Sequence, residues 1–112
     1  MKKKMEDLKR HLPVLEYLKS LSSKEQKELI KNAPKPLLNI FSSIALNLIK
    51  QNIPLSPHNI KRLKQHEGLI LKLSQRKHSL KARKKLLQRG GLLSSLLSIL
   101  PSLVSGVLAS LT

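Results

Sequence analysis

The sequence contains no cysteine and no tryptophan, and its only aromatic residues are Tyr17 and Phe41. Without cysteine, the chain has no disulfides, no thiolate ligands for zinc and no thiol nucleophile. A hydrophobic core therefore has to be built from aliphatic side chains. The lack of aromatic rings also removes the stacking platforms that proteins use for single-stranded nucleic acid.

Acidic residues are scarce and unevenly distributed. The 112 residues include 6 Asp and Glu against 22 Lys and Arg, which gives a formal net charge of +16. Glu67 is the only acid beyond residue 30, so the region 58–89 is almost purely cationic. A charge surplus of this size favours a polyanionic partner, which would be DNA, RNA or an anionic membrane.

No pattern in the sequence indicates catalysis or metal binding. The histidines at 11, 58, 66 and 78 are not at metal-ligand spacing from one another or from the few acids. A glycine-rich phosphate loop and a Ser/His/Asp constellation are both lacking. We therefore predict a non-enzymatic protein without a metal or other cofactor.

Apolar residues recur at helical spacing, and no stretch shows the alternation of a β-strand. We predict an all-α fold, a small bundle of four or five short helices with a basic last helix and a C-terminal amphipathic hydrophobic helix. Proline and serine set the predicted helix starts. The predicted helices are Pro13 to Leu21 after a loose first turn, Lys24–Asn32 with a Ser23/Gln26 capping box, Leu37–Lys50, His58–Ser74 capped by Ser56 and weakened by Gly68, and Leu80–Arg89 capped by Ser79.

Composition divides the chain into three regions: a helical region at 1–57, a basic nucleic-acid-binding region at 58–91 and an uncharged tail at 92–112. The helix Leu37–Lys50 is apolar around most of its girth and is the candidate centre of the core.

The cations of the basic region are spread over several helical turns and do not form a compact surface for contacting base edges. Such diffuse Lys and Arg side chains contact phosphates and bind without sequence preference. The predicted phosphate-binding residues are Lys61, Arg62, Lys64, Lys72, Arg76, Lys77, Lys81, Arg83, Lys84, Lys85 and Arg89.

The tail has the pattern of an amphipathic helix whose polar face consists of serines. Ser94, Ser95, Ser98, Ser102 and Ser105 fall within an arc of about 100°. The opposite face is the predicted membrane or oligomer face, formed by Leu93, Leu96, Leu97, Leu100, Leu103, Val104, Val107 and Leu111. Three interpretations remain open: an interfacial membrane helix beside anionic lipid, a bilayer span, and packing into an oligomer or back onto the helix Leu37–Lys50.

Three segments followed by a leucine-rich tail carry a family resemblance: NLIKQNIPLS at 47–56, KRLKQH at 61–66 and LSQRKHSLKARKKLLQRGG at 73–91. Together they resemble the small basic virion proteins of Polinton (Maverick) elements and adintoviruses. That family is similar to the adenovirus core precursor of the mu peptide, and the tail is similar to the membrane-lytic region of adenovirus protein six. The resemblance implies a virion component packed with DNA alongside capsid proteins, present in the host nucleus or cytoplasm during assembly.

The same resemblance implies a cleavage site. The elements encode an adenovirus-type maturation protease that cuts after Gly-Gly, and Gln88, Gly90, Gly91 and Leu92 match such a site. The family usually has an aromatic residue where this chain has Leu92. The alternative is that the two glycines serve only as a helix C-cap and hinge.

The sequence thus leads to one main hypothesis and two alternatives. The main hypothesis is a minor virion or core protein that binds and condenses DNA without sequence specificity, with a membrane-active or self-associating tail. The first alternative is a membrane-lytic entry factor whose basic part directs it to anionic lipid. The second is a structural helical homo-oligomer.

Overall fold

The fold consists of α-helices, as predicted. The computed structural model describes residues 2–51, 53, 55–75, 77–89 and 91–101, and for residues 2–9 it describes the backbone alone. No strand occurs in these residues. They form α1 (Lys2–Ser20), α2 (Ser23–Lys31), α3 (Lys35–Ile49), α4 (Pro57–Lys64), α5 (Glu67–Ser74), α6 (Leu80–Leu87) and α7 (Leu92–Ser98).

The first helix is longer than the sequence predicted, because Pro13 lies inside α1 and not at its start. A proline cannot donate to the carbonyl four residues earlier, and the two positions share a helix face. Pro13 is exposed, so that carbonyl lies on the solvent side. Leu15 and Leu18 are fully buried on the other side of the helix.

Helix α2 begins one residue earlier than predicted. Ser22 is the N-cap, and its hydroxyl accepts a hydrogen bond from the Glu25 N–H at 3.2 Å while the Glu25 carboxylate accepts one from the Ser22 N–H at 3.2 Å. Gln26, the predicted capping partner, is buried and donates from Nε2 to the Leu18 carbonyl at 2.9 Å. The Gln26 amide therefore attaches α2 to the end of α1, and Glu25 completes the capping box in its place.

Helix α3 is the centre of the core, as predicted. It begins with Pro36 in its first turn, and it packs against α1, α5 and α6. Phe41, Leu38 and Ala45 on this helix have no exposed surface.

The predicted helix His58–Ser74 is two helices. Ser56 caps α4 by accepting the Asn59 N–H at 3.3 Å, with Pro57 as the first helical residue, which confirms the predicted start. The break lies at Gln65 and His66, where the His66 N–H donates to the Leu63 carbonyl at 2.9 Å. After this turn, α5 packs against α3, and Gly68 lies in the first turn of α5.

The uncharged segment is part of the core. Helix α7 packs against α1, α4 and α6, and six of the aliphatic side chains in and just after it are buried: Leu92, Leu93, Leu96, Leu97, Ile99 and Leu100. The predicted serine face is wrong at Ser95, which is buried because α7 is covered from several directions. One hydrophobic cluster runs from Leu15 to Leu100, so the three compositional regions share a single core.

Candidate nucleic-acid interface

Most of the predicted phosphate-binding cations lie at the surface. Eight of them are exposed: Lys61, Arg62, Lys64, Lys72, Lys77, Lys81, Lys85 and Arg89. Among the described residues, no carboxylate forms a salt bridge with any of these eight side chains. Arg76 lies outside the described residues, and Lys84 is half-buried.

Arg83 is the exception, and its prediction as a phosphate ligand is wrong. The side chain is 3% exposed, and its Nη1 donates to Asn39 Oδ1 at 2.9 Å and to Ser42 Oγ at 3.0 Å, both on α3. A guanidinium enclosed in this way is shielded from a phosphate in solution. Arg83 instead attaches the basic helix α6 to the centre of the core.

This internal position sets the orientation of α6. Arg83, Leu86 and Leu87 are buried on one face, because residues three and four apart share a helix side. Lys81 and Lys85 are therefore directed to solvent. The Ser79 hydroxyl caps the helix by accepting the Ala82 N–H at 3.1 Å, as predicted.

Two side chains, one in α6 and one directly after it, join this part of the chain to α2. Lys84 Nζ donates to the Lys31 carbonyl at 3.0 Å, and Gln88 Nε2 donates to the Lys27 carbonyl at 3.3 Å. Lys31 is the last residue of α2, where the helix dipole favours a cation. The seam brings the cations of both helices together into what we call the α2–α6 surface: Lys27, Lys31, Lys81, Lys84, Lys85 and Arg89. Glu28, also exposed on α2, is the acid nearest to them in sequence.

Helix α4 carries a second group of cations, which we call the α4 surface: Lys61, Arg62 and Lys64. Leu63 is the one buried residue of this helix and anchors it, while the three cations around it are exposed. The nearest acid in sequence is Glu67, at the start of α5.

The predicted protease site lies in a folded junction. Gly91 is exposed and has a φ of 78°, a left-handed conformation that suits glycine. The Leu92 N–H donates to the Arg89 carbonyl at 2.9 Å, and the Leu92 side chain is fully buried. Gln88 is held by α2, and Gly90 lies outside the described residues. A protease that binds extended backbone would first have to unfold this turn.

The predicted membrane or oligomer face is occupied within the protein. Leu93, Leu96, Leu97 and Leu100 are each at most 5% exposed, and they pack in the core formed with α1, α4 and α6. Leu103, Val104, Val107 and Leu111 lie outside the described residues. In the part of the chain that the structure describes, no helix combines the length and hydropathy of a bilayer span.

An apolar groove of about 470 Å³ lies where α3 ends beside α4 and α5. Its walls are mainly aliphatic, and Ile49 and Ile60 remain 43% and 44% exposed. Gln51, Lys64 and Glu67 supply its polar atoms. The groove suits an apolar group and brings together no nucleophile with a base.

The histidines do not form a metal centre. No group of three or more His, Cys, Asp or Glu side chains capable of holding an ion occurs among the described residues.

The buried role of Arg83 had a signal in the sequence that pattern reading missed. Arg83 precedes Leu86 and Leu87 by one helical turn, and so it shares their inward face. Asn39 and Ser42 are polar residues three apart on a largely apolar helix, which also carries Ser43 and Asn47. Such a pair on a core helix requires a polar partner, and a nearby arginine can supply it.

Comparison of the chain with protein families, curated proteins and solved structures finds no match.

Proposed function

We propose that this protein is a non-enzymatic minor virion or core component of a Polinton-like element that binds and condenses duplex DNA without sequence specificity. The observation that carries the proposal is the set of eight exposed cations, six of them on α4, α5 and α6, without carboxylate partners among the described residues. The resemblance of residues 47–91 to the family supports the virion context. Capsid proteins and a maturation protease are the other proposed partners.

The chemistry of these side chains favours the phosphate backbone over the bases. Lysines make up most of the exposed set, and an ammonium group is a point charge without the planar fork of a guanidinium. Each helix that carries them has 8 residues, and its exposed face is cationic over much of its length. Binding through such a surface releases counterions and is insensitive to sequence.

The test is the salt dependence of binding to two unrelated duplexes of equal length. If the eight exposed cations each contact one phosphate, the logarithm of the association constant falls with the logarithm of salt with a slope of about −7. We expect equal affinities for the two sequences and a steep slope for both. Affinity that hardly changes with salt, or that differs strongly between the duplexes, would refute the proposal.

The cleavage after Gly91 stays part of the proposal, with a consequence that the fold supplies. A cut at this position would sever α7 from α6 while the α7 leucines are still buried. Release of the tail as a membrane-active peptide would then require the core to open. We expect intact protein to leave anionic vesicles sealed and the free peptide 92–112 to release an encapsulated dye.

A structural role in a helical homo-oligomer is the second candidate, and the groove supports it. Ile49 and Ile60 together present aliphatic surface that a second copy of the chain could cover. Equilibrium sedimentation over a range of concentrations distinguishes the two candidates. A monomer at all concentrations would eliminate the oligomer.

A further inference from the structure

The loop that leads into α6 presents a serine between two lysines. Ser79 is exposed, and so are Lys77, two residues before it, and Lys81, two residues after it. Leu80, which directly follows the serine, also keeps 37% of its surface exposed. Four of the five residues from 77 to 81 are therefore open to solvent, with a hydroxyl at their centre.

This arrangement has the chemistry of a substrate for a serine kinase that selects basic peptides. Kinases discriminate among substrates by the charges that flank the hydroxyl. Lysines on both sides of a serine suit an enzyme whose peptide groove is acidic, and an exposed leucine directly after the serine suits an apolar subsite. The four side chains lie outside the hydrophobic core, so an enzyme can reach them from solvent.

A kinase that binds extended backbone would have to open the first turn of α6 and the short turn before it. The Ser79 hydroxyl accepts the Ala82 N–H at 3.1 Å, and the Ser79 carbonyl accepts the Arg83 N–H at 3.0 Å. In the preceding turn, the His78 N–H donates to the Gln75 carbonyl at 3.3 Å. Helix ends and loops open at a small fraction of the free energy of global unfolding. Because the serine and its flanking lysines are exposed already, this opening uncovers none of them from the core.

Ser74 shows what the structure adds to the charge pattern. Lys72 precedes this serine by two residues and Arg76 follows it by two, so its flanking charges resemble those of Ser79. Ser74 is nevertheless half-buried at the end of α5, and its hydroxyl donates to the Leu71 carbonyl at 2.6 Å. We therefore expect Ser74 to be a much poorer substrate than Ser79.

We infer that Ser79 is a phosphorylation site for a kinase that selects basic substrates, and that its phosphorylation weakens DNA binding at the α2–α6 surface. The kinase would transfer the terminal phosphoryl group of ATP. A bond forms between Ser79 Oγ and that phosphorus as the bond to the β–γ bridging oxygen breaks, the hydroxyl proton passes to a kinase carboxylate, and ADP leaves. The effect on binding rests on the proposed function, whereas the modification itself does not.

The added charge falls among cations. A phosphoserine carries about −1.5 to −2 charges at neutral pH. Since consecutive Cα atoms are about 3.8 Å apart, the Cα atoms of Lys77 and Lys81 lie within about 7.6 Å of that of Ser79. This is inside the Debye length of about 8 Å at physiological salt. The N-terminus of α6 also favours a negative charge, so phosphorylation cancels about two phosphate contacts while α6 stays folded.

Mass spectrometry of the full chain after incubation with ATP and the catalytic domain of protein kinase C tests the modification. We expect one phosphate, on Ser79. Replacing both flanking lysines (K77Q and K81Q) should lower the initial rate at least about tenfold, because two charged contacts to the kinase are lost. Ser56 is the matched control within the same chain, since it is an exposed N-cap, that of α4, without a lysine within two residues.

Three results would overturn the modification: no phosphate on Ser79, labelling of Ser74 or Ser56 as fast as Ser79, or a rate that the lysine replacements leave unchanged. Each of these results would leave the proposed DNA binding intact, because none of them depends on DNA.

The effect on binding is tested with two variants that both retain a side-chain cap for α6. Ser79→Asn and Ser79→Asp keep an acceptor at the N-cap and differ by one charge. The salt slope measured by DNA anisotropy should be about 0.9 shallower for the aspartate variant than for the asparagine variant. It should be about 1.8 shallower for the phosphorylated chain than for the unmodified chain, with affinity at about 0.1 M salt at least about tenfold lower.

The asparagine variant should bind DNA as the unaltered chain does. Equal slopes for the phosphorylated and unmodified chains would overturn the effect on binding. Failure of the unmodified chain to bind any duplex would instead overturn the proposed function.

Discussion

Helices α6 and α7 follow one another across a single turn and have opposite compositions. Four of the eight residues of α6 are Lys or Arg, whereas α7 consists only of Leu and Ser. Composition alone places α6 in solvent and leaves α7 to a membrane, an oligomer interface or packing onto the helix Leu37–Lys50. The structure buries a cation of α6, Arg83, and buries a serine of α7, Ser95. Position relative to the core decides exposure more strongly than the average polarity of the segment.

The difference has a physical cause. Helix α6 lies at the surface of the core, so its inward face accepts one polar side chain whose hydrogen bonds are met on α3. Helix α7 lies between α1, α4 and α6, so that even its small polar residues are enclosed. The comparison leads to predictions in which α7 controls stability and the exposed cations of α6 control the proposed DNA binding.

Ending the chain at Gly91 should have the largest effect. The deletion removes six buried aliphatic side chains, and at about 1.5–3 kcal/mol each they contribute roughly 9–18 kcal/mol. A typical domain has a free energy of unfolding of only about 5–15 kcal/mol. We expect the shortened chain to lose its cooperative thermal transition in circular dichroism. A chain ending at Pro101 is the control, and cooperative melting of the shorter chain would show that α7 is not part of the core.

Replacing one leucine of α7 should have a smaller but still large effect. Leu96 is 1% exposed, and Leu96→Ala should lower the free energy of unfolding by about 2–5 kcal/mol through lost burial and the cavity left behind. Ser94 is the exposed residue of the same helix, and Ser94→Ala should change it by less than about 0.5 kcal/mol. Urea denaturation measures both. Equal effects would mean that the two faces of α7 are not distinct.

Arg83 and Lys85 provide a reciprocal test within α6. Arg83→Met removes the donor to Asn39 and Ser42, and it should cost about 1–3 kcal/mol of stability with an unchanged salt slope for DNA. Lys85→Gln should leave stability within about 0.5 kcal/mol and make the slope about 0.9 shallower. Denaturation and anisotropy on the same preparations measure the two quantities. A shallower salt slope for the folded Arg83 variant would show that Arg83 contacts phosphate after all.

The smallest effect is expected at the start of α2, which gives a baseline for polar contacts in solvent. Hydrogen bonds from Ser22, first from its side chain and then from its backbone, lower the pKa of Glu25. A lowered folded-state pKa means that the stabilisation is present above the unfolded value and is lost as pH falls through the folded one. The urea midpoint of the unaltered chain should therefore fall more on acidification than that of Glu25→Gln. Identical acid sensitivity would show that this carboxylate contributes nothing.

Local chemistry made several features predictable. Ser56 with Pro57 and Ser79 were sufficient to place the starts of α4 and α6, because capping depends on a few adjacent residues. The central position of α3 followed from its nearly continuous apolar surface. The exposed lysines of α4 and α6 were also predictable, since an ammonium group is costly to bury.

The remaining features depend on contacts between residues distant in sequence. Gln26 does not complete the predicted cap, because its side chain donates to the Leu18 carbonyl. Arg83 is not at the surface, because it donates to Asn39 and Ser42 on α3, more than forty residues away. The break at Gln65 and the enclosure of α7 likewise depend on how whole helices pack. The groove arises only when α3, α4 and α5 are assembled.

The contact between α1 and α7 has a consequence for folding during synthesis of the protein. These helices lie near opposite ends of the described chain, so α1 leaves the ribosome well before its partner is made. At about 5–20 residues per second, the intervening segment takes several seconds to synthesise. During that time α1 lacks one of its final neighbours, although its Leu15 and Leu18 are fully buried in the finished fold. Completion of α7 therefore closes the core only after the other described helices have been made.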